Sequence, residues 1–288
     1  MAMSSETGFL GSLKVPDRLY EGYIFDLDGT IYLGNELLPG AKRLVLKLRE
    51  LGKQVIFLSN NPTKDPVMYA EKLTKLGLPT LEDEVVNTVV TMTQWLLKNH
   101  PEAKVFPISE EPLKNSLREA GIKMSEDPEE IDIIIASYDR TFDYRKLQIA
   151  FDAIWFQERA HLVTTNPDRY CPFPGGRGEP DAAAIVGAIE GCTGTKCEIN
   201  VGKPDPIMLE TVMNVIGLEA EDCVMTGDRL YTEIRMARDA GMPSAAVLTG
   251  ETTAGDLENE SADNLPDYVL ERIDRLIPPA MWKEFGWT

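Results

Sequence analysis

The chain has 288 residues, enough for one large domain or two moderate ones with a substantial core. Its 43% hydrophobic and 26% charged residues are those of an ordinary soluble globular protein, so a fibrous or intrinsically disordered chain is excluded. The formal net charge is −18, from 47 acids against 29 bases, which argues against non-specific binding to nucleic acid or to an anionic membrane.

The same charge repels an anionic substrate at long range, so a phosphate site has to supply positive charge locally. Met1 to Lys14 is polar, without a basic start and an apolar core, and reads as no signal peptide. No stretch approaches the roughly 18 apolar residues of a membrane span. Cys171, Cys192, Cys197 and Cys223 lack metal-site spacing, and His100 and His161 are the two histidines. A cytoplasmic protein with reduced thiols and no zinc site is the expectation.

In chain order, Tyr23-Ile24-Phe25-Asp26 is an apolar run ending in a carboxylate, followed by Leu27-Asp28-Gly29-Thr30. It reads as a buried strand closed by a turn. After the polar turn at Gly34-Asn35-Glu36, a helix is predicted over Ala41–Leu51, a strand over Gln54–Leu58 and a helix over Asp65–Leu76. The β-α-β-α order implies a parallel sheet covered by helices. Further helices are predicted over Val85–Leu97, Glu111–Ala120, Tyr144–Arg159 and Asp181–Gly191. Strands are predicted over Lys104–Pro107, Ile131–Ala136 and His161–Thr165. The Pro- and Gly-rich segment from Asn166 to Gly176 reads as a long irregular loop.

Ile199-Asn200-Val201 opens the last third, with a helix over Pro206–Ile216. A strand over Cys223–Asp228, a helix over Tyr231–Ala240, a strand over Ser244–Leu248 and an edge strand over Pro266–Leu270 complete it. The expected fold class is α/β: a Rossmann-like three-layer core with a mainly parallel sheet, plus an inserted α/β domain. The expected segments are residues 1–83 and 199–288 for the core and 84–198 for the insertion.

Asp26 and Asp28, Ser59 and Asn60, Lys203, and Asp228 each stand at a predicted strand end. Taken singly, a strand-end Asp reads as a helix cap, Ser59-Asn60-Asn61 as turn chemistry and Lys203 as a solvated lysine. Strand ends of one parallel sheet converge on one rim, where ligands of open α/β sheets bind. Two acids, a hydroxyl, an ammonium and another acid suit phosphoryl transfer, which needs positioning and electrostatic stabilisation. Asp26 and Asp228 can hold Mg²⁺, which takes oxygen ligands. A carboxylate can attack phosphorus, and Asp28 can act as general acid and base. Lys203 and Ser59 can hold the phosphoryl oxygens.

The segment Asp26-Leu27-Asp28-Gly29-Thr30 resembles the nucleophile motif of haloacid dehalogenase-like (HAD) phosphatases. Leu58-Ser59-Asn60-Asn61 resembles their second motif, Gly202-Lys203-Pro204 their third and Gly227-Asp228-Arg229-Leu230-Tyr231-Thr232-Glu233 their fourth. An insertion between the second and third motifs resembles the C2-capped subclass IIA, as do Thr165-Asn166-Pro167-Asp168 and Val247-Leu248-Thr249-Gly250. That subclass includes 4-nitrophenyl phosphatases and sugar-phosphate phosphatases.

The resemblance implies a phosphoric monoester hydrolase with Asp26 as nucleophile, Asp28 as general acid/base, and Mg²⁺ on Asp26, the Asp28 carbonyl and Asp228. Relatives usually carry Asp where this chain has Glu233, which acts there through metal-bound water or a lysine. Asp28 favours phosphate over halide, since the dehalogenases lack a second acid. The resemblance also implies a substrate-binding set of Ser59, Asn60, Asn61, Lys203, Asp168 and Cys171, with the segment from Asp168 to Phe173 facing the leaving group. The vitamin B6 phosphatase branch tends to carry His where Cys171 stands, which disfavours pyridoxal phosphate.

A small phosphorylated metabolite is the expected partner, with no nucleic acid and no membrane, and with a homodimer through the cap as a further expectation. Arg169 and Tyr170 read either as substrate contacts or, by default, as loop-stabilising residues, and Cys192 and Cys197 read as structural. Glu251 reads either as a rim residue or, by default, as a solvated surface acid. A phosphotransferase using the same intermediate, or a non-catalytic phosphometabolite-binding protein, are the alternatives.

Overall fold

The computed structural model describes residues 14–173 and 175–287, so residues 1–13, on which most of the signal-peptide reading falls, Pro174 and Thr288 lie outside the described residues. Two compact units emerge. One joins the chain up to Leu58, Leu73–Thr80 and the chain from Val212 onward; the other joins Ser59–Lys72 and Leu81–Thr211. These do not coincide with the segments 1–83, 84–198 and 199–288 expected from the motifs.

In the first unit, the strand Gly22–Asp26 has parallel neighbours on both sides, Gln54–Ser59 and Cys223–Gly227. Ser244–Val247 and then Tyr268–Leu270 extend the sheet outward, also in parallel. A strand buried on both faces needs continuous apolar side chains, and Tyr23, Ile24 and Phe25 are fully buried. The register pairs Asp26 with Leu58 and Phe25 with Thr226, which brings Asp26 level with Gly227, one residue before Asp228. A short antiparallel pair, Tyr32–Leu33 with Glu36–Leu37, follows the first strand. Its turn contains Gly34 at φ 59°, a left-handed conformation that glycine adopts without a Cβ clash.

In the second unit, five parallel strands run in the order Ile199–Asn200, His161–Thr164, Ile133–Ala136, Lys104–Ile108 and Lys123–Met124. Side chains alternate across a strand, and the alternation builds two cores. Ile133, Ile135, Val105 and Val163 pack with Val89, Met92, Leu96, Leu113 and Leu117. Those residues come from helices Thr88–Asn99 and Glu111–Glu119. Ile134, Ala136, Phe106 and Leu162 pack on the other side with Ile149, Ala150, Ile185 and Ile189. These come from helices Tyr144–Phe151 and Ala182–Thr193.

Three segments differ from expectation. Val85–Asn87 is a strand, and the helix begins only at Thr88, because Asn87 caps it by accepting from the Val90 N–H at 3.3 Å. The predicted loop contains an antiparallel hairpin, Tyr170–Phe173 with Arg177–Pro180, whose connection includes Gly175 and Gly176 at positive φ. The predicted helix Tyr231–Ala240 starts as a π-turn over Leu230–Ile234 before the α-helix Arg235–Asp239. Among the described residues, no helix is long and apolar enough to cross a membrane.

Candidate active site

In the first unit, Asp26 ends the central strand and is buried. Asp28, two residues on, is exposed and accepts a hydrogen bond from the Tyr32 hydroxyl at 3.1 Å. The turn between them and Tyr32 is closed by backbone bonds from Gly29 N to Tyr32 O and from Ile31 N to Leu27 O, both 2.9 Å. Gly29 sits at φ 83°, and a Cβ there would stand 2.4 Å from Asp228 Oδ2. A larger residue is therefore excluded both by conformation and by the carboxylate it faces.

Asp228 follows the strand Cys223–Gly227 and is 4% exposed. The segment Thr249–Thr252, just beyond the strand Ser244–Val247, wraps it. The Glu251 N–H donates to Asp228 Oδ2 at 2.7 Å and the Thr252 N–H to the Asp228 carbonyl at 3.0 Å. A Cβ on Gly250 would fall 1.9 Å from Asp228 Oδ2, so only glycine allows this approach. Thr249 Oγ1 donates to the Gly29 carbonyl at 2.8 Å, tying the same segment to the turn after Asp26.

Glu233 lies in the π-turn, a helix irregularity frequent at functional sites, and is 1% exposed. It accepts from Thr232 Oγ1 at 2.7 Å. Arg229 pairs with Glu251 at 2.9 Å. Burial works against the Arg229 charge, but Tyr231, Asp26, Glu233 and Asp228 outweigh it and push the guanidinium above its ordinary value. Three buried acids around one cation cost desolvation energy that a purely structural core would avoid.

In the second unit, Asn60 is the hub. Its Oδ1 accepts from the Lys203 N–H at 2.7 Å, and its Nδ2 donates to the Lys203 carbonyl at 3.2 Å and to Asp168 Oδ2 at 2.9 Å. Asn166 Nδ2 also donates to Asp168 Oδ2, at 2.9 Å, and to Asp181 Oδ1 at 3.0 Å. A Cβ on Gly202 would lie 2.6 Å from the Thr165 carbonyl, which accounts for the glycine before Lys203. Lys203 is 3% exposed, not the solvated lysine of the default reading. Ser59, also buried, hydrogen-bonds the Tyr69 hydroxyl at 3.0 Å. Asn61 Nδ2 donates to Cys171 Sγ at 3.6 Å, and Asn61 Oδ1 accepts from Thr63.

Lys203 follows Ile199–Asn200, a strand of the second unit's sheet, so the polar strand ends do not all belong to one sheet as expected. Sequence reasoning assigned no role to Arg229 and Tyr231; Glu251 is exposed, as its default reading has it, and in addition pairs with Arg229 and accepts from the Tyr231 hydroxyl. The signal was present: Glu251 directly follows the Thr249-Gly250 pair that closes on Asp228.

The sequence matches the haloacid dehalogenase-like hydrolase family over residues 23–123 and the HAD-hydrolase-like family over residues 200–276. It is 36% identical over 252 residues to the sugar-phosphatase AraL of Bacillus subtilis, covering 88% of this chain and 90% of that one. It is 32% identical over 256 residues to an acid sugar phosphatase of Staphylococcus epidermidis, covering 88% and 96%. The crystal structure of a 4-nitrophenylphosphatase from Thermotoga maritima superposes with a TM-score of 0.83 at 33% identity, covering 89% of this chain and 96% of that one. The α/β architecture is that of the Thermotoga maritima phosphatase. The chain belongs to the haloacid dehalogenase-like hydrolases. Within that family it is a phosphatase.

Proposed function

We propose that this phosphatase hydrolyses small phosphate monoesters, of the sugar phosphate, glycerol phosphate or 4-nitrophenyl phosphate type, with Mg²⁺ and an aspartyl-phosphate on Asp26. The observation that carries the reading is the contrast between two acids two residues apart. Asp26 is buried at the end of the central strand, whereas Asp28 is exposed and held by Tyr32. Different surroundings suit different roles for a carboxylate pair. The names of the relatives support the substrate range.

The donor chemistry fits the metal. Among the described residues no group of three or more His, Cys, Asp or Glu side chains is arranged to hold an ion. Mg²⁺ needs none: it binds through one or two carboxylates with water and substrate phosphate. Asp26 and Asp228 would supply the carboxylates and Asp28 its backbone carbonyl, while Gly29 and Gly250, lacking a Cβ, leave the Asp228 carboxylate the room it occupies. Glu233, one methylene longer than the usual Asp, would stand in the outer sphere. When bound, the cation neutralises charge on the phosphoryl oxygens.

In the proposed reaction, an Asp26 oxygen attacks phosphorus as the ester P–O bond breaks, and Asp28 gives its proton to the leaving oxygen. Asp28 then takes a proton from water, whose oxygen attacks phosphorus and releases phosphate and the Asp26 carboxylate. Ser59 and Lys203 hold phosphoryl oxygens, and Asn60 fixes the Lys203 backbone and Asp168. Asn61, Asp168 and Cys171 are proposed to meet the leaving group, which favours small substrates under a cap.

The test is phosphate release from a panel of sugar phosphates, glycerol phosphates, nucleotides, pyridoxal phosphate and 4-nitrophenyl phosphate, with and without Mg²⁺. Wild-type turnover should require the metal and fall at least about a thousandfold in Asp26→Asn, the scale of losing a covalent nucleophile. Turnover that survives in that variant would rule out Asp26 as nucleophile. Added acceptor alcohols separate hydrolysis from transfer.

A further inference from the structure

On the function proposed above, we infer that Glu179 sets the leaving-group specificity. Its carboxylate accepts hydrogen bonds from leaving-group hydroxyls and disfavours a leaving group that carries a carboxylate of its own.

A run of contacts within the second unit leads from the lysine proposed to hold the phosphoryl group to Glu179. Asn60 Oδ1 accepts from the Lys203 N–H at 2.7 Å. Asn61, the next residue, donates to Cys171 Sγ at 3.6 Å. Cys171 stands directly opposite Glu179 in the hairpin Tyr170–Phe173 and Arg177–Pro180. Opposite residues of an antiparallel pair project from the same face, with Cβ atoms about 5 Å apart. The face that presents Cys171 to Asn61 therefore presents Glu179 as well. Arg177 shares that face but lies two residues nearer the turn, opposite Phe173.

Glu179 is half-buried, and the Tyr138 hydroxyl donates to its Oε2. Tyr138 follows the strand Ile133–Ala136 and is 2% exposed, so it ties the carboxylate to the body of the unit. Burial and the Glu179 carboxylate raise the Tyr138 phenol above its ordinary value. The phenol thus keeps its proton and stays the donor. It uses one of about four acceptor positions on the carboxylate, which leaves capacity for a second donor. Leaving-group hydroxyls supply such donors. Arg140 stands over the Tyr138 ring at 5.6 Å and donates to Glu110 through two hydrogen bonds, 2.6 and 2.8 Å. Arg140, Glu110 and Glu179 together therefore carry a formal excess of negative charge. A carboxylate on the leaving group meets like charge there, which selects by repulsion as well as by attraction.

The experiment measures kcat and KM of the full chain with Mg²⁺ for three esters. These are the sugar or glycerol phosphate turned over fastest, phosphoglycolate, whose leaving group carries a carboxylate, and 4-nitrophenyl phosphate. The wild type should prefer the hydroxyl-rich ester to phosphoglycolate. Glu179→Gln should lower that ratio of kcat/KM values roughly tenfold or more, chiefly through KM, the scale of one hydrogen bond to a charged group. Glu179→Ala should do the same, and a thermal melt of each variant confirms folding. Tyr138→Phe keeps the charge at 179 and should lower the ratio less.

An unchanged ratio in both Glu179 variants overturns the inference. So does an equal fall for all three esters, which would make Glu179 a support of the hairpin only. A loss in Tyr138→Phe as large as in Glu179→Gln overturns it too, because the phenol and not the carboxylate would then select. So does a wild type that prefers phosphoglycolate. A folded wild type that releases phosphate from none of the three fails before any variant is compared, and it overturns the proposed hydrolysis itself.

Discussion

At Gly227 a methyl group would stand 2.4 Å from Glu233 Cγ and 2.6 Å from its Cβ, so the side chain at 233 occupies the space that any other residue at 227 would need. Glu233 is held there by Thr232 and cannot swing out, being 1% exposed. Gly227→Ala should therefore destabilise the chain by about 1–3 kcal/mol, the usual cost of overpacking a filled interior. Adding Glu233→Asp removes a methylene from the crowded side and should restore part of that loss. Urea denaturation of the single and double variants checks both, and additive losses would show that the two residues do not share the space. Gly227, having no Cβ, leaves the space that the Glu233 side chain fills.

The strand Cys223–Gly227 carries the Asp228 turn and begins with a fully buried thiol. Burial pushes Cys223 up to about 11 from an ordinary 9.0, with Asp222 adding to the effect. Cys197, part-buried and beside Glu190 and Glu198, is likewise raised to about 11. Between pH 9 and 11 the unfolded thiols have lost their protons while the folded ones retain them. Unfolding then releases protons, and stability falls as pH rises through that window. Below pH 9 the contribution is complete. Denaturant unfolding at pH 8 and pH 10.5 should show this loss, and Cys223→Ala should make it smaller. An unchanged pH slope in the variant would exclude Cys223 as the source. In the native state Cys192, which is exposed, should react with a thiol reagent long before Cys223.

For the molecule as a whole, the net charge of −18 sets the approach of a phosphate ester. A dianionic substrate meets long-range repulsion that local groups such as Lys203 overcome only on arrival. Raising ionic strength from about 0.01 to 0.15 M shortens the screening length from about 30 to about 8 Å. KM for a sugar phosphate should therefore fall with added inert salt while kcat stays level. A KM that rises under the same titration would mean that the substrate is steered by a positive local field rather than repelled by the overall charge.

The sequence by itself determined the fold class and the order of most elements, because each rests on local signals. Apolar runs without alternation mark buried parallel strands such as Tyr23–Phe25, and Asp-x-Asp-Gly-Thr is a pattern of adjacent residues. Helix Ala41–Glu50 and strand Gln54–Ser59 match their expected spans to within a residue. What failed locally failed for a physical reason. Val85–Asn87 has helical neighbours but forms a strand, and only the Asn87 cap marks the change. The hairpin Tyr170–Phe173 and Arg177–Pro180 is rich in Pro and Gly, which reads as irregular until cross-strand pairing is seen. Only the tertiary structure decided which distant residues meet. That Asn60 grips Lys203 and Asp168, and that Glu251 grips Asp228, Arg229 and Tyr231, depends on backbone paths that bring segments up to 143 residues apart within hydrogen-bonding distance. Local composition carries no information about such separations.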